Sequence, residues 1–300
     1  MFKRSFIIFL ELQNSFIWRS KDKYFNTYIS RNLVTRMVAK SKMELCRIIF
    51  KIVMWILIGG FGCNFVMQTI SYSFYKNAKQ MKAIDFTPEY IQINEKLSGY
   101  GYNFASESDN IILFFGGSNY IAYNSVGCFG GIFDCTFLSA DFYGSQNSKG
   151  KMNLQSMKNT ATDLYDWTKT NYPDKKIVVV GHSYGTGIAA YLASVRNCDR
   201  LVLMAAYRDL TDLYNKIIPI FHGPAKVFIS NDIRLIDYAE KVACITYIIG
   251  SNSDKTLNAS LQSLVKDCFA NAQLKIFDGI DHESYLRNEK VVEFINGILK

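Results

Sequence analysis

Histidine is scarce in this sequence, and no two cysteines have the C-x-x-C spacing. Three histidines and seven cysteines are spread over 300 residues, and this spacing supports neither a zinc site nor a thioredoxin-like motif. No unit of about 20 to 50 residues repeats, and no low-complexity tract occurs. The apolar fraction is 49%, so the chain can bury a large core. We expect a globular body with no metal and no organic cofactor.

An excess of one charge is also absent from most of the chain. The net charge is +8, and residues 1–51 hold 11 Lys and Arg against 3 Asp and Glu. Residues 52–300 hold 23 of each sign. A body without a charge excess does not favour polyanions, so we expect no nucleic-acid partner.

An apolar run follows the basic arm. Residues 52–67 are apolar except for Asn64. A spanning helix needs about 20 residues, and residues 48–70 reach that length if Lys51 extends to the interface. Basic residues before such a segment keep that side cytoplasmic. We predict a basic arm over 1–47, a membrane anchor or signal over 48–70, and a globular domain over 71–300 on the extracytoplasmic side.

Three interpretations of the apolar segment remain open. It is a single-pass anchor, a cleaved export signal, or a buried helix, and the preceding basic residues disfavour the last. The second leaves a secreted protein, or a lipoprotein with its lipid on Cys63, although Gly60 stands where a lipobox has leucine. In an exported body, Cys128 and Cys135 are candidates for a disulfide across a loop. We expect buried thiols at the later cysteines.

From about residue 88, strand-like apolar runs alternate with helical patterns. This order predicts an α/β fold, with a mostly parallel sheet covered by helices on both faces. Continuous runs such as I-V-V-V are typical of strands buried on both faces. The predicted strands are 90–95, 111–115, 136–140, 176–180, 201–205, 244–249 and 274–277. The predicted helices are 154–170, 184–195, 257–270 and 284–299.

The strongest local motif is G-H-S-Y-G at residues 181–185, which follows K-I-V-V-V and opens a helix of small residues. A strand that turns straight into a helix presents its serine above the sheet, and glycines two positions before and after let the backbones pass. We predict Ser183 as a nucleophile. His182 is expected to point away from Ser183 and to be structural.

A serine hydroxyl needs a base, and an orienting carboxylate normally lies between serine and histidine in chain order. His282 follows the last predicted strand, and Asp254 follows the one before it. Asp278 and Asp281 are rivals, but both lie on the loop of His282 itself. His222 is expected in a pocket lining or an exposed loop. We predict a catalytic triad of Ser183, Asp254 and His282.

Two backbone N–H groups are needed to stabilise an oxyanion. We expect one from Tyr184 and the other from the glycine-rich loop after strand 111–115, with Gly117 the first choice and Ser118 the second. Residues of about 206–234 are expected to form a small cap. Its aromatic side chains Tyr207, Tyr214 and Phe221 are candidates for substrate binding, with simple packing as the alternative.

These motifs resemble the α/β-hydrolase superfamily over residues 90–300, and within it the short-capped, often membrane-attached serine aminopeptidase and acyl-ester hydrolase branches. Three loops carry the resemblance besides the triad: F-F-G-G-S-N at 114–119, D-F-Y-G-S-Q-N-S-K-G at 141–150 and G-S-N-S-D-K-T at 250–256. The sequence departs from the family pattern at three positions, with Phe115 in place of His, Tyr143 in place of Arg and Ser251 in place of Asp.

The resemblance implies a serine hydrolase that cleaves a carboxylic ester or thioester through an acyl-enzyme. A small-molecule or lipid-like acyl compound is the expected substrate, and the membrane is the expected partner of the N-terminal segment. A peptidase of the same fold is one alternative. The other is a non-catalytic scaffold for binding at the membrane, although such a scaffold would be expected to lack a triad residue.

Overall fold

The computed structural model describes residues 23–230 and 233–300, with side chains described from residue 33. Its described part divides into two compact units, within Met1–Gly59 and Gly60–Lys300. These units reflect packing and do not locate a membrane, so the domain limits at residues 47 and 70 stay predictions.

Eight strands form one sheet in the second unit. They are β1 Glu89–Gln92, β2 Ser98–Tyr102, β3 Asn110–Phe115, β4 Thr136–Ala140, β5 Lys176–His182, β6 Arg200–Met204, β7 Ile245–Ser251 and β8 Ala272–Phe277. The strand order is β1-β2-β4-β3-β5-β6-β7-β8. Strands β1 and β2 run antiparallel to their neighbours, whereas β3 to β8 are parallel. The mostly parallel sheet agrees with the predicted fold class.

Eight α-helices accompany the sheet over the described residues. They are α1 Lys23–Asn77, α2 Ala122–Phe129, α3 Leu154–Asn171, α4 Gly185–Val195, α5 Leu210–Tyr214, α6 Ile236–Ala239, α7 Ala259–Lys266 and α8 Glu289–Leu299. Short 3-10 helices cover Gly223–Phe228 and Tyr285–Arg287. Two predicted helices are shorter than expected: 257–270 reduces to α7, and 284–299 divides into a 3-10 turn and α8.

The predicted strands are all present, but the sequence missed strand β2 and helices α2, α5 and α6. Central strand β3 is buried along its whole length, and β5 is buried over Ile177–Gly181. Their register pairs Ile112 with Val178 and Leu113 with Val179. Because parallel strands end at the same edge, the loops after β3, β5, β7 and β8 meet there.

Helix α1 is one element that crosses the boundary between the units. Over Leu33–Asn77 it is long and apolar enough to cross a membrane, on length and composition alone. Its apolar side chains between residues 33 and 59 are exposed; Phe50 is 66% and Trp55 73% accessible. In the second unit, one face of the helix is buried instead.

The buried face of α1 explains the polar residue that interrupts the apolar run. Asn64 Nδ2 donates to Ser230 Oγ at 2.7 Å, and Gln68 Nε2 donates to the Ser230 carbonyl at 2.6 Å. Further along, Tyr75 is 1% exposed and lies edge-on to Phe142, with ring centroids 5.4 Å apart. Residues 60–77 therefore belong to the packed body.

Candidate active site

The nucleophile candidate lies at a sharp turn between β5 and α4. Ser183 has φ +50°, a left-handed conformation that non-glycine residues rarely adopt. The Ser183 N–H donates to the Met204 carbonyl at 3.0 Å, and the Thr186 N–H donates to the Ser183 carbonyl at 3.0 Å. These bonds hold the strained turn in place.

Close backbone contacts explain the two glycines of the motif. A Cβ on Gly185 would lie 2.1 Å from the Phe115 carbonyl oxygen, and one on Gly181 would lie 2.8 Å from the Thr186 Cα. The close backbone packing around α4 therefore leaves no room for a side chain at either glycine, as predicted.

The three predicted triad residues lie together at the carboxyl edge of the sheet. His282 Nε2 lies 2.9 Å from Ser183 Oγ, and His282 Nδ1 lies 2.9 Å from Asp254 Oδ2. With the Nδ1 proton donated to Asp254, the Nε2 lone pair faces the serine hydroxyl. This arrangement positions the imidazole to accept the serine proton.

Asp254 is 1% exposed and accepts four hydrogen bonds. The N–H groups of Thr256 and Leu257 donate to Oδ1 at 2.8 and 2.9 Å, and Tyr285 donates its hydroxyl to Oδ2 at 3.1 Å, beside the bond from His282. Burial would raise the pKa of Asp254, but the hydrogen bonds led by that from His282 outweigh it and lower the pKa. The carboxylate therefore stays charged next to the imidazole.

The loops of Asp254 and His282 are tied together by side chains. Ser251 Oγ accepts from the N–H groups of Ser253 at 3.1 Å and Ile280 at 3.3 Å. Asn252 Nδ2 donates to Asp278 Oδ1 at 2.7 Å. Asp278, a rival carboxylate, is therefore engaged with Asn252, while Asp281 is exposed. Ser251 departs from the family pattern, yet it links the two loops.

His182 does not point away from the site as predicted. Its Nε2 lies 2.8 Å from the His282 carbonyl oxygen, and the two rings are 5.2 Å apart between centroids. Burial, with a smaller contribution from His282, lowers the pKa of His182 to about 4, so the ring is neutral at neutral pH and donates to that carbonyl. The predicted structural role fits this contact, but the predicted direction was wrong.

The predicted oxyanion groups border the serine. A Cβ on Gly117 would lie 2.9 Å from Ser183 Cβ and 3.4 Å from Ser183 Oγ, so the Gly117 backbone approaches the nucleophile directly. Tyr184 immediately precedes the first turn of α4. Ser118 is exposed next to Gly117. The oxyanion role of all three residues stays a prediction.

A cavity of about 130 Å³ opens beside this loop. Its lining includes Gly117, Ser118, His182 and Glu283. Three larger clefts over the described residues, of about 400, 650 and 950 Å³, include none of the triad residues in their linings. The lining of the small cavity includes no triad residue either, but it does include the Gly117 loop and His182, the residue before Ser183. The small cavity is therefore the better candidate for holding part of a substrate.

The three aromatic residues predicted for substrate binding are buried. Tyr207 and Phe221 are 0% exposed and Tyr214 is 3% exposed. Tyr207 donates its hydroxyl to the Tyr184 carbonyl at 3.2 Å, and the Tyr184 ring lies 5.8 Å from that of Tyr75. A substrate reaches these side chains only if the 206–234 segment moves, so their binding role stays a prediction. His222 is exposed.

Asp141, in the loop after β4, is a buried carboxyl group with a single short backbone partner. It is 1% exposed, and Oδ1 accepts the Ala122 N–H at 2.8 Å. Burial raises the pKa of Asp141 from 3.8 to about 6, and the Ala122 bond opposes this only partly. In the same loop, Tyr143 replaces the family arginine and donates to Asp163 Oδ2 at 2.5 Å.

Asp141→Asn is expected to stabilise the fold above pH 6. Because the folded-state pKa is raised, the stability linked to this group is fully present below about pH 3.8 and is lost as pH rises through about 6. Asparagine does not ionise and still accepts the Ala122 N–H. At pH 8 the variant should gain on the order of 2 kcal/mol in free energy of unfolding, measured by urea unfolding across this range. Exposed Asp174→Asn is the control, and parallel pH profiles for wild type and Asp141→Asn would contradict the expectation.

The sequence also missed two residues that support the triad. Tyr285 follows His282 by three positions and donates a hydrogen bond to Asp254. Its closeness to His282 in the sequence was the signal that could have found it. Thr186 Oγ1 donates to the Ser183 carbonyl at 2.6 Å. All seven cysteines lie in the described chain and are free thiols, including Cys128 and Cys135.

A family model and a related protein each match part of this chain. A family model described as the α/β hydrolase fold matches residues 114–235. Human Protein ABHD12B is 33% identical over 78 residues, which cover 24% of this chain and 22% of that protein. The chain thus matches only about a fifth of that relative's length.

Solved structures resemble a larger part of the chain. The esterase Pf2001 of Pyrococcus furiosus has a TM-score of 0.54 at 16% identity, covering 72% of this chain and 90% of that one. Est1E of Butyrivibrio proteoclasticus, solved with ferulic acid bound, has a TM-score of 0.52 at 16% identity, covering 71% and 96%. The esterase Rv0045c of Mycobacterium tuberculosis has 0.52 at 14%, covering 71% and 90%. At these identities the likeness establishes the fold, and it confirms the predicted fold class.

Proposed function

We propose that this chain, which belongs to the α/β-hydrolase superfamily, is a serine hydrolase that cleaves a carboxylic ester or thioester. One observation carries the proposal: the His282 imidazole lies 2.9 Å from Ser183 Oγ on one side and 2.9 Å from Asp254 Oδ2 on the other. A scaffold without catalytic activity would not need this alignment, and it would not need a strained serine between two sterically required glycines.

The reaction begins with attack of Ser183 Oγ on the acyl carbonyl carbon. His282 Nε2 takes the hydroxyl proton, and the carbonyl π electrons move to oxygen, where the N–H groups of Tyr184 and Gly117 stabilise the charge. When the tetrahedral intermediate collapses, the bond to the alcohol or thiol breaks, and that leaving group receives the proton from His282. Asp254 stabilises the imidazolium throughout.

Water completes the cycle by the same route. His282 removes a proton from water, which attacks the acyl carbon on Ser183, and the returning proton restores the serine hydroxyl. Hydrolysis of a peptide bond uses the same groups. We favour the ester or thioester because these leaving groups depart more readily than an amine. The esterase activity named for the structural neighbours agrees with this choice.

A fluorophosphonate probe tests the nucleophile. We expect it to label the wild type and to leave Ser183→Ala unlabelled, because the probe forms a covalent bond to an activated serine. Ser263→Ala is the control, since this exposed serine lies on α7, away from the candidate site, and should leave labelling unchanged. Labelling can be measured by mass spectrometry of the intact chain. An unlabelled wild type with native circular dichroism would favour the non-catalytic scaffold.

We further propose that helix α1 anchors the protein in a membrane, with the body on the extracytoplasmic side. The supporting observations are the exposed apolar side chains of the helix and the basic residues before them. The substrate is then a small-molecule or lipid-like acyl compound available on that side. A lipoprotein or a secreted form is the alternative, and nucleic acid has no part in this proposal.

A further inference from the structure

An apolar surface lies on the segment between β6 and β7 and on the adjoining part of α1. Its members are large side chains that face solvent: Ile217 is 64% exposed, Ile220 43%, Val227 75%, Phe61 52% and Phe65 71%. We call these five residues the cap surface. Isolated exposed apolar residues are ordinary, but five on adjoining segments require an explanation.

The helical and cap parts of this surface are in direct contact. The rings of Phe61 and Phe228 pack edge to face, with centroids 5.2 Å apart. One turn along the helix, Asn64 bonds to Ser230 at 2.7 Å. Val227 directly precedes Phe228, so the cap segment contacts α1 next to this exposed residue. On length and composition, α1 is long and apolar enough to cross a membrane.

The loop that carries Ile217 and Ile220 is held in shape by its own hydrogen bonds. Asn215 Nδ2 donates to the Phe221 carbonyl at 3.0 Å, and Asn215 Oδ1 accepts the Phe221 N–H at 2.8 Å. The Phe221 side chain is 0% exposed and fixes one end of the loop in the core. The two isoleucines thus stay exposed on a preformed loop, and binding through them has little ordering cost.

The lack of carboxylates on the cap loop favours a lipid bilayer over a protein partner. Residues 213–230 contain Lys216 and Lys226 but no Asp or Glu. Lys226 bonds to the buried carboxylate of Asp209 at 2.8 Å, which holds the segment to the body, whereas Lys216 is exposed beside Ile217. Apolar side chains next to a lysine are typical of interfacial membrane attachment.

We propose that the cap surface docks into the interface of a lipid bilayer as a second membrane contact beside the helix. Ile217, Ile220 and Val227 enter the boundary between headgroups and acyl chains, and Lys216 extends into the headgroup layer. The docking holds the cap segment against the bilayer. This inference concerns membrane contact alone and stands whether or not Ser183 is catalytic.

Quenching by brominated lipids tests the docking on the full chain. Ile220→Trp is prepared in a background in which Trp18, Trp55 and Trp167, the three native tryptophans, are replaced by phenylalanine. The full chain is then reconstituted in phosphatidylcholine vesicles. Emission from position 220 should fall about twofold when the acyl chains carry bromine near the headgroup, because quenching requires contact at that depth. Leu264→Trp on α7, where Leu264 is 48% exposed, is the matched control and should be unaffected.

If brominated lipid left the emission of Ile220→Trp as unchanged as that of Leu264→Trp, the proposal would be overturned. If Ile220→Trp loses its native circular dichroism, His222→Trp replaces it, because this exposed neighbour lies on the same loop and carries the same expectation. If a protein partner covers this surface instead, the cap loop would be shielded from solvent only when that protein is present. Brominated lipid would then leave the tryptophan unquenched.

Discussion

Alanine at Ser183, at His282 or at both is expected to lower kcat/KM for an activated ester by the same factor, on the order of 10⁴ to 10⁶. The two side chains act as one unit, since the hydroxyl is a poor nucleophile without the base and the base has no nucleophile without the hydroxyl. Steady-state hydrolysis of p-nitrophenyl esters of graded chain length measures the loss. It also reports the preferred acyl length.

Two further variants define the contribution of the carboxylate. Asp254→Asn should lose about 10³ to 10⁴ in kcat, because it favours the wrong imidazole tautomer. Tyr285→Phe should lose far less, since Asp254 keeps its bonds to His282, Thr256 and Leu257.

The double variant with alanine at Ser183 and His282 tests whether the two side chains act as one unit. If it is much less active than either single variant, the serine and histidine work independently, which the proposed mechanism does not allow.

Gly185→Ala is expected to destabilise the fold by roughly 3 kcal/mol or more and to abolish activity. The new Cβ would lie 2.1 Å from the Phe115 carbonyl oxygen and 2.6 Å from that of Gly116. These are backbone atoms of a central strand and of the loop that follows it, so relief requires α4 to move away from the sheet. Denaturant unfolding of the purified chain measures the change in stability.

Gly297→Ala is the matched control for this substitution. Gly297 lies near the end of α8, and a Cβ there meets nothing within 4 Å. Alanine should therefore stabilise that helix slightly, by at most about 1 kcal/mol. Equal stability for Gly185→Ala and wild type would mean that the contact between α4 and the end of β3 is looser than the structure indicates.

The sequence was informative where one element follows another without a loop. The run K-I-V-V-V-G-H-S-Y-G predicted strand β5, the sharp turn and helix α4, because burial, glycine spacing and the following helix all indicate one geometry. Chain order then selected Asp254 and His282, and the structure brings them together. Chain order alone does not exclude Asp278, which is engaged with Asn252 through contacts that form only in the folded chain.

The sequence was uninformative where glycine has a tertiary role. Strand β2 reads S-G-Y-G-Y, and glycine is depleted in strands. The structure shows why glycine is there: a Cβ on Gly99 would lie 2.4 Å from the Ser139 carbonyl, and one on Gly101 would lie 2.2 Å from the Phe104 ring. The direction of His182 was likewise unpredictable, because it depends on the His282 carbonyl a hundred residues away.

The packing of α1 affects how this protein is best shortened for solution work. A cut after residue 70 would remove the apolar run, but it would also remove Asn64 and Gln68, the partners of Ser230. Met67, which is 1% exposed and belongs to the core, would be lost with them, so the residues it covers would become accessible to water. Solubility therefore favours removing the apolar run, whereas the packing of the body requires that residues 60–77 are kept.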